Sequence, residues 1–256
     1  PVPTLPAAGV EGPLPPSPDL PVLSPPGDTL KNPPRKKNGS KVRANRDLPL
    51  YRDALFVVQH NGEHHVIAES YFYKTDPYYT ILSLENEGRT VRPSSSAVLD
   101  AYVIPVCLER ARSAGIPVCE WGISQAYVPL PSLVYGLNYY ANNAEYAIIR
   151  DNDAAKDVIR HITNNGKYPF CFQKFPEGST IHSCTAIFGE TIGTCSAVAR
   201  NAEAIYGIFG IPLVRMVWVK NKESCALSSL SPLRYADLSG EERSLLSARI
   251  SNQVSL

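Results

Sequence analysis

The sequence of 256 residues lacks an apolar run long enough to cross a membrane. Its longest apolar stretch, residues 204–219, is interrupted by Gly207, Gly210, Pro212 and Arg215, whereas a membrane-spanning helix needs about 20 consecutive apolar residues. The six cysteines form no CxxC pair, which excludes a zinc ribbon and a thioredoxin-like motif. A domain of this size does not depend on disulfides, so we expect reduced thiols. Because the sequence has no sufficiently long apolar run, we also expect no membrane insertion.

Known catalytic motifs are missing as well. The sequence has no GxSxG nucleophile motif, no Walker A loop and no GxGxxG dinucleotide fingerprint. His60, His64 and His65 lie around one predicted hairpin, but the adjacent His64 and His65 must point to opposite faces of a strand. We therefore predict no metal site, no catalytic residue and no cofactor, and the sequence leans towards a protein that is not an enzyme.

Proline, in contrast, is abundant at one end of the chain. Twelve of the 23 prolines fall within the first 34 residues. Because proline fixes φ and removes a backbone donor, this segment favours an extended, polyproline-like geometry. We predict an extended tail over residues 1–47 and an α/β domain over residues 48–256, with possible halves at 48–130 and 140–256.

The predicted tail also carries a basic run that contains no acid. Seven cations lie within residues 31–46, although the net charge of the whole chain is only +1. Such a run suits phosphate contacts, which add affinity but little sequence specificity. The predicted RNA-binding residues are Lys31, Arg35, Lys36, Lys37, Lys41, Arg43 and Arg46. A solvated linker, a sorting segment or a contact with an acidic protein surface would explain the same run.

The first part of the domain has the pattern of a β-hairpin followed by a third strand. Asn61-Gly62 separates two runs rich in β-branched and aromatic residues, which is a strong hairpin signal. Residues 78–84 are predicted as the third strand. Four tyrosines here either fill the core or stack on nucleotide bases, and they are Tyr71, Tyr73, Tyr78 and Tyr79.

The rest of the domain alternates between helical and strand patterns, which predicts a mixed sheet with flanking helices. Residues 94–115 are predicted as a helix that Pro105 either kinks or restarts. Residues 168–174 and 184–189 are predicted as a strand pair. A capping box at residues 239–242 predicts one last helix.

Two segments share a pattern in which a helix ends at a glycine and leads into a strand that begins with Ile-Pro. The junctions are Gly115-Ile116-Pro117 and Gly210-Ile211-Pro212. The stretches concerned are residues 95–102, 108–117, 187–191, 199–216, 230–233 and 237–243. In these stretches the chain resembles the N-terminal, pre-ATP-grasp domain of RimK-like amino-acid ligases.

The resemblance implies an α/β fold but no complete catalytic site. In such ligases the nucleotide-binding lysines and the metal-binding carboxylates belong to a following ATP-grasp domain, which we expect this sequence not to contain. A carboxylate–asparagine pair on a late strand, which a complete site needs, is absent from residues 224–229. The resemblance therefore implies a scaffold that has kept the fold without the reaction.

These observations together favour a non-catalytic subunit of a large assembly. We predict a mitochondrial or other organellar ribosomal protein that contacts RNA and neighbouring subunits and takes no small-molecule substrate. The prediction rests on the basic run, on the missing catalytic motifs, and on the first residue, Pro1, which suggests a fragment boundary or a cleaved targeting segment. One alternative is the substrate or partner domain of a RimK-like ligase system, which would be cytoplasmic. A second alternative is an accessory subunit of a respiratory membrane complex.

Overall fold

The computed structural model describes residues 50–138, 145–222 and 224–251. Within these residues the chain forms ten strands and six α-helices, which confirms the predicted α/β class. The strands are β1 (Phe56–His60), β2 (Glu63–Ile67), β3 (Val91–Arg92), β4 (Glu120–Ser124), β5 (Ser132–Gly136), β6 (Ala147–Ile149), β7 (Phe170–Lys174), β8 (Thr180–Ile187), β9 (Leu213–Lys220) and β10 (Cys225–Ser231). The helices are α1 (Asp76–Asn86), α2 (Ser95–Tyr102), α3 (Ile104–Ser113), α4 (Asn152–Ile162), α5 (Ser196–Phe209) and α6 (Gly240–Ser251).

The predicted hairpin forms most of the first sheet, which has the strand order β1-β2-β3. Strands β1 and β2 pair antiparallel, and the turn between them places Asn61 and Gly62 at positive φ, 51° and 82°. A turn with two positive φ values favours Asn-Gly, because these residues adopt the left-handed region at low cost. Strand β3 pairs parallel to β2, so this sheet is mixed, as predicted.

The third strand predicted at residues 78–84 is wrong, because the chain forms helix α1 there. Thr75 is in the extended conformation at the helix start, and Asp76 and Pro77 follow in the first turn. Both favour a helix start. An acidic side chain there complements the helix dipole, and the backbone N–H that proline lacks would have no partner within the helix at this position. Tyr78 and Ile81, one helical turn apart, then face the core.

Helices α2, α3 and α5 pack against the second sheet, which has the order β10-β9-β8 and is antiparallel throughout. Pro105 lies in the first turn of α3, so the predicted helix over residues 94–115 is divided in two at Val103. Helix α5 buries Val198, Ala202 and Ile205 and ends at a left-handed Gly210. The segment around Gly210 therefore has the helix-to-strand geometry on which the family resemblance rests.

The third sheet has the order β4-β7-β5-β6 and is also antiparallel. Strand β7 has β4 on one side and β5 on the other, so neither of its edges is free for β8. Strand β8 instead pairs with β9 over its whole length. The predicted pairing of residues 168–174 with 184–189 is therefore wrong, although both strands exist.

The core joins the second and third sheets. One buried cluster combines Tyr135 and Cys171 from the third sheet with Val219 and Ala226 from the second. At the chain end, Ser239 and Glu242 exchange backbone-to-side-chain hydrogen bonds of 2.8 and 3.2 Å, which confirms the predicted capping box of α6. In the part of the chain that the structure describes, no helix is long and apolar enough to span a membrane.

Candidate functional site

Strand β10, the last strand in the described residues, carries a set of buried polar side chains. Ser228, Ser229 and Ser231 have no solvent exposure, and Tyr135 of β5 and Gln173 of β7 face them from the third sheet. We call these five residues the serine cluster. Buried polar groups cost free energy unless they are hydrogen-bonded, so such a cluster needs internal partners.

The Tyr135 hydroxyl connects the two sheets at this point. It lies 2.7 Å from Ser228 Oγ and 3.3 Å from Ser229 Oγ. Neighbouring strand residues normally point to opposite faces, but the register of β10 shifts between Leu227 and Ser229. This β-bulge allows two consecutive serines to reach one hydroxyl. Burial raises the pKa of Tyr135 well above its usual value, so the hydroxyl stays neutral.

Gln173 adds a second connection between the same strands. Its Nε2 donates a 2.8 Å hydrogen bond to the backbone oxygen of Ser228, and its side chain is fully buried. Its Oε1 has no partner among the described residues, and neither does the buried Ser231 Oγ. The serine cluster therefore holds unused acceptors and hydroxyls but no charge.

Two arginines and an aspartate lie where β10 ends. Arg215 is opposite Ser231 in the strand register, and its Nη2 lies 3.3 Å from Asp237 Oδ2. Arg234 Nη2 lies 3.3 Å from Asp237 Oδ1, and its side chain is 73% exposed. We call Arg215, Arg234 and Asp237 the arginine cluster. Because Arg234 is exposed, it can exchange this surface pair for a carboxylate ligand at little cost.

A buried glutamate holds the segment of the arginine cluster against the first sheet. Glu69, which follows β2, accepts hydrogen bonds from the backbone N–H groups of Tyr235 at 2.6 Å and Asp53 at 3.2 Å. The Tyr235 hydroxyl donates in turn to the backbone oxygen of Ala54 at 3.0 Å. The position of Arg234 is thus fixed by contacts on both sides of the chain segment that carries it.

The serine cluster does not have the donor set that a nucleotide and its metal require. Magnesium prefers carboxylate oxygens, and triphosphates are bound by cations and backbone N–H groups. The residues of β10, Cys-Ala-Leu-Ser-Ser-Leu-Ser, include neither a carboxylate nor an asparagine. The facing hydroxyl of Tyr135 is neutral and already hydrogen-bonded. These residues therefore do not fit a magnesium–nucleotide complex.

The predicted RNA-binding tail, from Lys31 to Arg46, lies outside the described residues. Of the four tyrosines, Tyr71 and Tyr78 are buried in the core. The Tyr71 hydroxyl donates to the backbone oxygen of Val66. Tyr73, in the segment before helix α1, and Tyr79, on helix α1, remain about half exposed. The proposed stacking role stays a prediction for these two rings.

The cysteines and histidines form no metal site in the described residues, and all six cysteines are free thiols. Burial raises the pKa of Cys107 to about 12 and that of Cys119 to about 11, so both thiols stay protonated. Cys195 is different, because it is exposed at the start of α5. The backbone N–H groups of Val198 and Ala197 at the helix start lower the pKa of its thiol.

No protein-family model and no curated protein matches the sequence, whereas solved structures match the fold. One is a RimK domain protein ATP-grasp from Sphaerobacter thermophilus DSM 20745, with 16% identity, a TM-score of 0.51, and coverage of 67% of this chain and 75% of that one. Another is a D-alanine–D-alanine ligase from Bacillus anthracis, with 12% identity, a TM-score of 0.50, and coverage of 66% and 70%.

The chain thus has the fold of the ATP-grasp ligases, which confirms the resemblance seen in the sequence. The same matches contradict the main functional prediction, a ribosomal structural subunit that binds RNA and takes no small molecule. That prediction is wrong because it relied on the tail, whereas the fold of the domain is one found in ligases. The organellar location that went with it has no support either.

Proposed function

We propose that this chain is the substrate or partner domain of a RimK-like ATP-grasp ligase system, in which a separate chain holds the nucleotide. The fold supports the ligase system. The hydrogen bonds of Tyr135 to Ser228 and Ser229 support a separate chain for the nucleotide, because they connect β5 to β10 through a buried, neutral contact. A cytoplasmic location goes with this proposal.

The free energy of binding argues against a nucleotide within the serine cluster. A triphosphate placed there would lose its hydration and meet neutral hydroxyl and amide groups, with no cation among the five residues. Displacing the Tyr135 ring would also break the packing that joins the two sheets. We therefore expect the chain alone to bind ATP weakly or not at all.

The arginine cluster is the proposed contact for the substrate. An amino acid offers a carboxylate to Arg234 and an ammonium group to Asp237, which are the two kinds of charge that the cluster presents. The cluster lies at the end of β10 and next to the segment that Glu69 fixes, so a bound substrate would be held on rigid elements.

Reconstitution with a RimK-like ATP-grasp ligase tests this proposal. The two chains are mixed with magnesium, ATP and a panel of amino acids, and ADP release and the ligated product are measured. We expect product only when both chains are present, and about a tenfold loss for Arg234→Gln. Arg200→Gln, which changes an exposed arginine on α5, is the matched control and should keep full activity.

Two results would overturn the proposal. One is tight binding of magnesium–ATP by the chain alone, since no separate chain would then be needed to hold the nucleotide. The other is an unchanged rate of ATP turnover and product formation by the partner when this chain is left out. The division into a tail over residues 1–47 and a domain over 48–256 also stays a proposal, which limited proteolysis of the full chain tests.

A further inference from the structure

A second site lies at the other end of β2. A cavity of about 300 Å³ opens beside the β1–β2 turn, and its walls come from β1, β2, β3, the turn after β8, and helices α5 and α6. The residues that carry the argument are Glu63, His65, Arg92, Phe188, Tyr206 and Arg249. Glu63 and His65 belong to the first half of β2, whereas Glu69 and the arginine cluster lie beyond its last residue. We call this the hairpin cavity.

Two ion pairs lie at the hairpin cavity, whose lining includes Glu63, Arg92 and Arg249. Arg92 Nε lies 2.6 Å from Glu63 Oε2, and both side chains are about one-third exposed. Arg249 of α6 pairs with Glu190, and both of these side chains are a little under half exposed. The lining therefore presents two positive groups and one negative group, and Glu190, the partner of Arg249, is also within reach of water. Half-exposed pairs of this kind can open to admit a ligand, because solvent makes each of them only weakly stable.

Aromatic rings form the floor between the two pairs. The Tyr206 hydroxyl lies 3.0 Å from His65 Nδ1, and the Phe188 ring centroid lies 5.6 Å from that of His65 and 5.9 Å from that of Tyr206. Burial lowers the pKa of His65, which favours the neutral imidazole at neutral pH. The floor is thus apolar, with one hydroxyl and one imidazole.

The turn after β8 holds Phe188 in a costly conformation. Phe188 has φ of 50° and Gly189 has φ of 80°, and the backbone groups of Ile187 and Glu190 exchange two 2.9 Å hydrogen bonds across the turn. Asn or Gly normally occupies the position of Phe188, because a bulky side chain is strained at positive φ. The strain places the Phe188 ring on the cavity floor and Glu190 beside Arg249.

We propose that the hairpin cavity binds a small zwitterion that carries an aromatic group. The ligand ammonium group pairs with Glu63 in place of Arg92, or with Glu190 in place of Arg249. The ligand carboxylate then pairs with the arginine that has been displaced. The exchange keeps every charge paired. An anion or a cation alone would leave one member of a pair without a partner. The aromatic group stacks on Phe188 and Tyr206, and the volume is at the lower end of the range for small-molecule sites.

Isothermal titration of the full chain tests the charge requirement with three related probes. Phenylalanine carries both charges, phenethylamine only the positive one and 3-phenylpropionate only the negative one. We expect phenylalanine to bind at least about tenfold more tightly than either analogue, because each analogue lacks one charge-assisted contact. Equal affinity for 3-phenylpropionate, or no binding of any probe at millimolar concentration, would overturn the proposal.

Two variants locate the binding. Arg249→Gln and Glu63→Gln each remove one member of a different ion pair, and the variant of the pair that takes the ligand should weaken phenylalanine binding about tenfold. Arg200→Gln changes an exposed arginine outside the cavity on the helix that carries Tyr206, and it should bind phenylalanine like the wild type. Circular dichroism confirms that each variant is folded. Wild-type affinity in both Arg249→Gln and Glu63→Gln would place the ligand elsewhere and refute the assignment. Arg234→Gln, the variant that tests the proposed function, removes the arginine-cluster contact, so the phenylalanine binding that remains in it reports the hairpin cavity alone.

Discussion

The serine cluster and the hairpin cavity are both polar, but they differ in burial and in charge. The serine cluster is fully buried, uncharged and crossed by hydrogen bonds between two sheets. The hairpin cavity is open and charged, and its ion pairs are reached by water. The first arrangement stabilises the fold, and the second leaves its groups free to exchange partners.

This difference matters because the fold alone would suggest strand β10 as the place to look for ligand contacts. The likeness to ATP-grasp ligases draws attention to the late strand β10, whose residues include neither a carboxylate nor an asparagine. The charges that can recognise a ligand lie instead at the arginine cluster and in the hairpin cavity. Four stability measurements test whether the two regions differ as described.

The largest effect is expected at Tyr135. Tyr135→Ala removes a buried ring and leaves Ser228 Oγ without its partner, so the free energy of unfolding should fall by about 3–5 kcal/mol in urea denaturation. Tyr127→Ala removes a ring that is 71% exposed and should change it by less than about 0.5 kcal/mol. Similar losses in the two variants would show that Tyr135 does not join the sheets.

A smaller effect is expected at the wall of the hairpin cavity. An added Cβ at Gly189 would lie 2.9 Å from Tyr206 Cβ and 3.2 Å from Glu203 Cα, at a φ of 80°. Gly189→Ala should therefore cost about 2 kcal/mol, since contact and backbone strain add. Gly62→Ala has nearly the same φ but no atom within 4 Å, so only about 1 kcal/mol is expected there. Equal costs in thermal or urea unfolding would mean that the turn does not press on α5.

The pH dependence of stability should report on His65. Burial is the main cause that lowers its pKa, Arg92, His60 and His64 add to this, and Glu63 opposes it. The unfolded chain, with the usual pKa of about 6.5, then binds the proton more readily than the folded chain. His65 should therefore contribute stability above about pH 6.5 that is lost as the pH falls through the folded pKa.

Urea denaturation at pH 7.5 and at pH 5.5 measures this contribution. The loss of stability on acidification should be smaller in His65→Gln than in the wild type. His161→Gln, which changes an exposed histidine on α4, should follow the wild-type profile. If His65→Gln loses as much stability as the wild type, the imidazole of His65 is equally accessible to protons in both states.

The smallest effect is expected at Arg92. Arg92→Gln breaks an ion pair that is about one-third exposed, so the free energy of unfolding should fall by only about 0.5 kcal/mol. The loss should shrink further in 1 M salt, because salt screens exposed charges. A loss of several kcal/mol that persists in high salt would make this pair a buried structural contact, and the contrast with the serine cluster would disappear.

Local sequence signals predicted much of this fold, since they depend on neighbouring residues only. Asn61-Gly62 fixed a turn through its positive φ, Pro105 divided two helices, and Ser239 and Glu242 capped a third. Helix α1 was mistaken for a strand because its tyrosines are typical of strands, whereas Asp76 and Pro77 set its start.

The functional residues were harder to predict because they meet over long distances in the sequence. Tyr135 and Ser228 are 93 residues apart, and their contact requires two sheets that each form from several segments. The only local signal was the three serines, Ser228, Ser229 and Ser231, in a strand whose other residues are apolar. The hairpin cavity depends on six elements, and Phe188 has a conformation that its residue type disfavours.

The bulge in β10 also bears on how related chains are compared with this one. Ser228 is an extra residue in β10. Leu227 and Ser229 pair with the consecutive β9 residues Trp218 and Val217, whereas Ser228 between them has no partner in the register. A strand that paired with β9 without this bulge would lack one residue here, so an ungapped alignment with it would misplace Ser229, Leu230 and Ser231 by one position. An alignment of such a strand with β10 therefore needs a one-residue gap opposite Ser228.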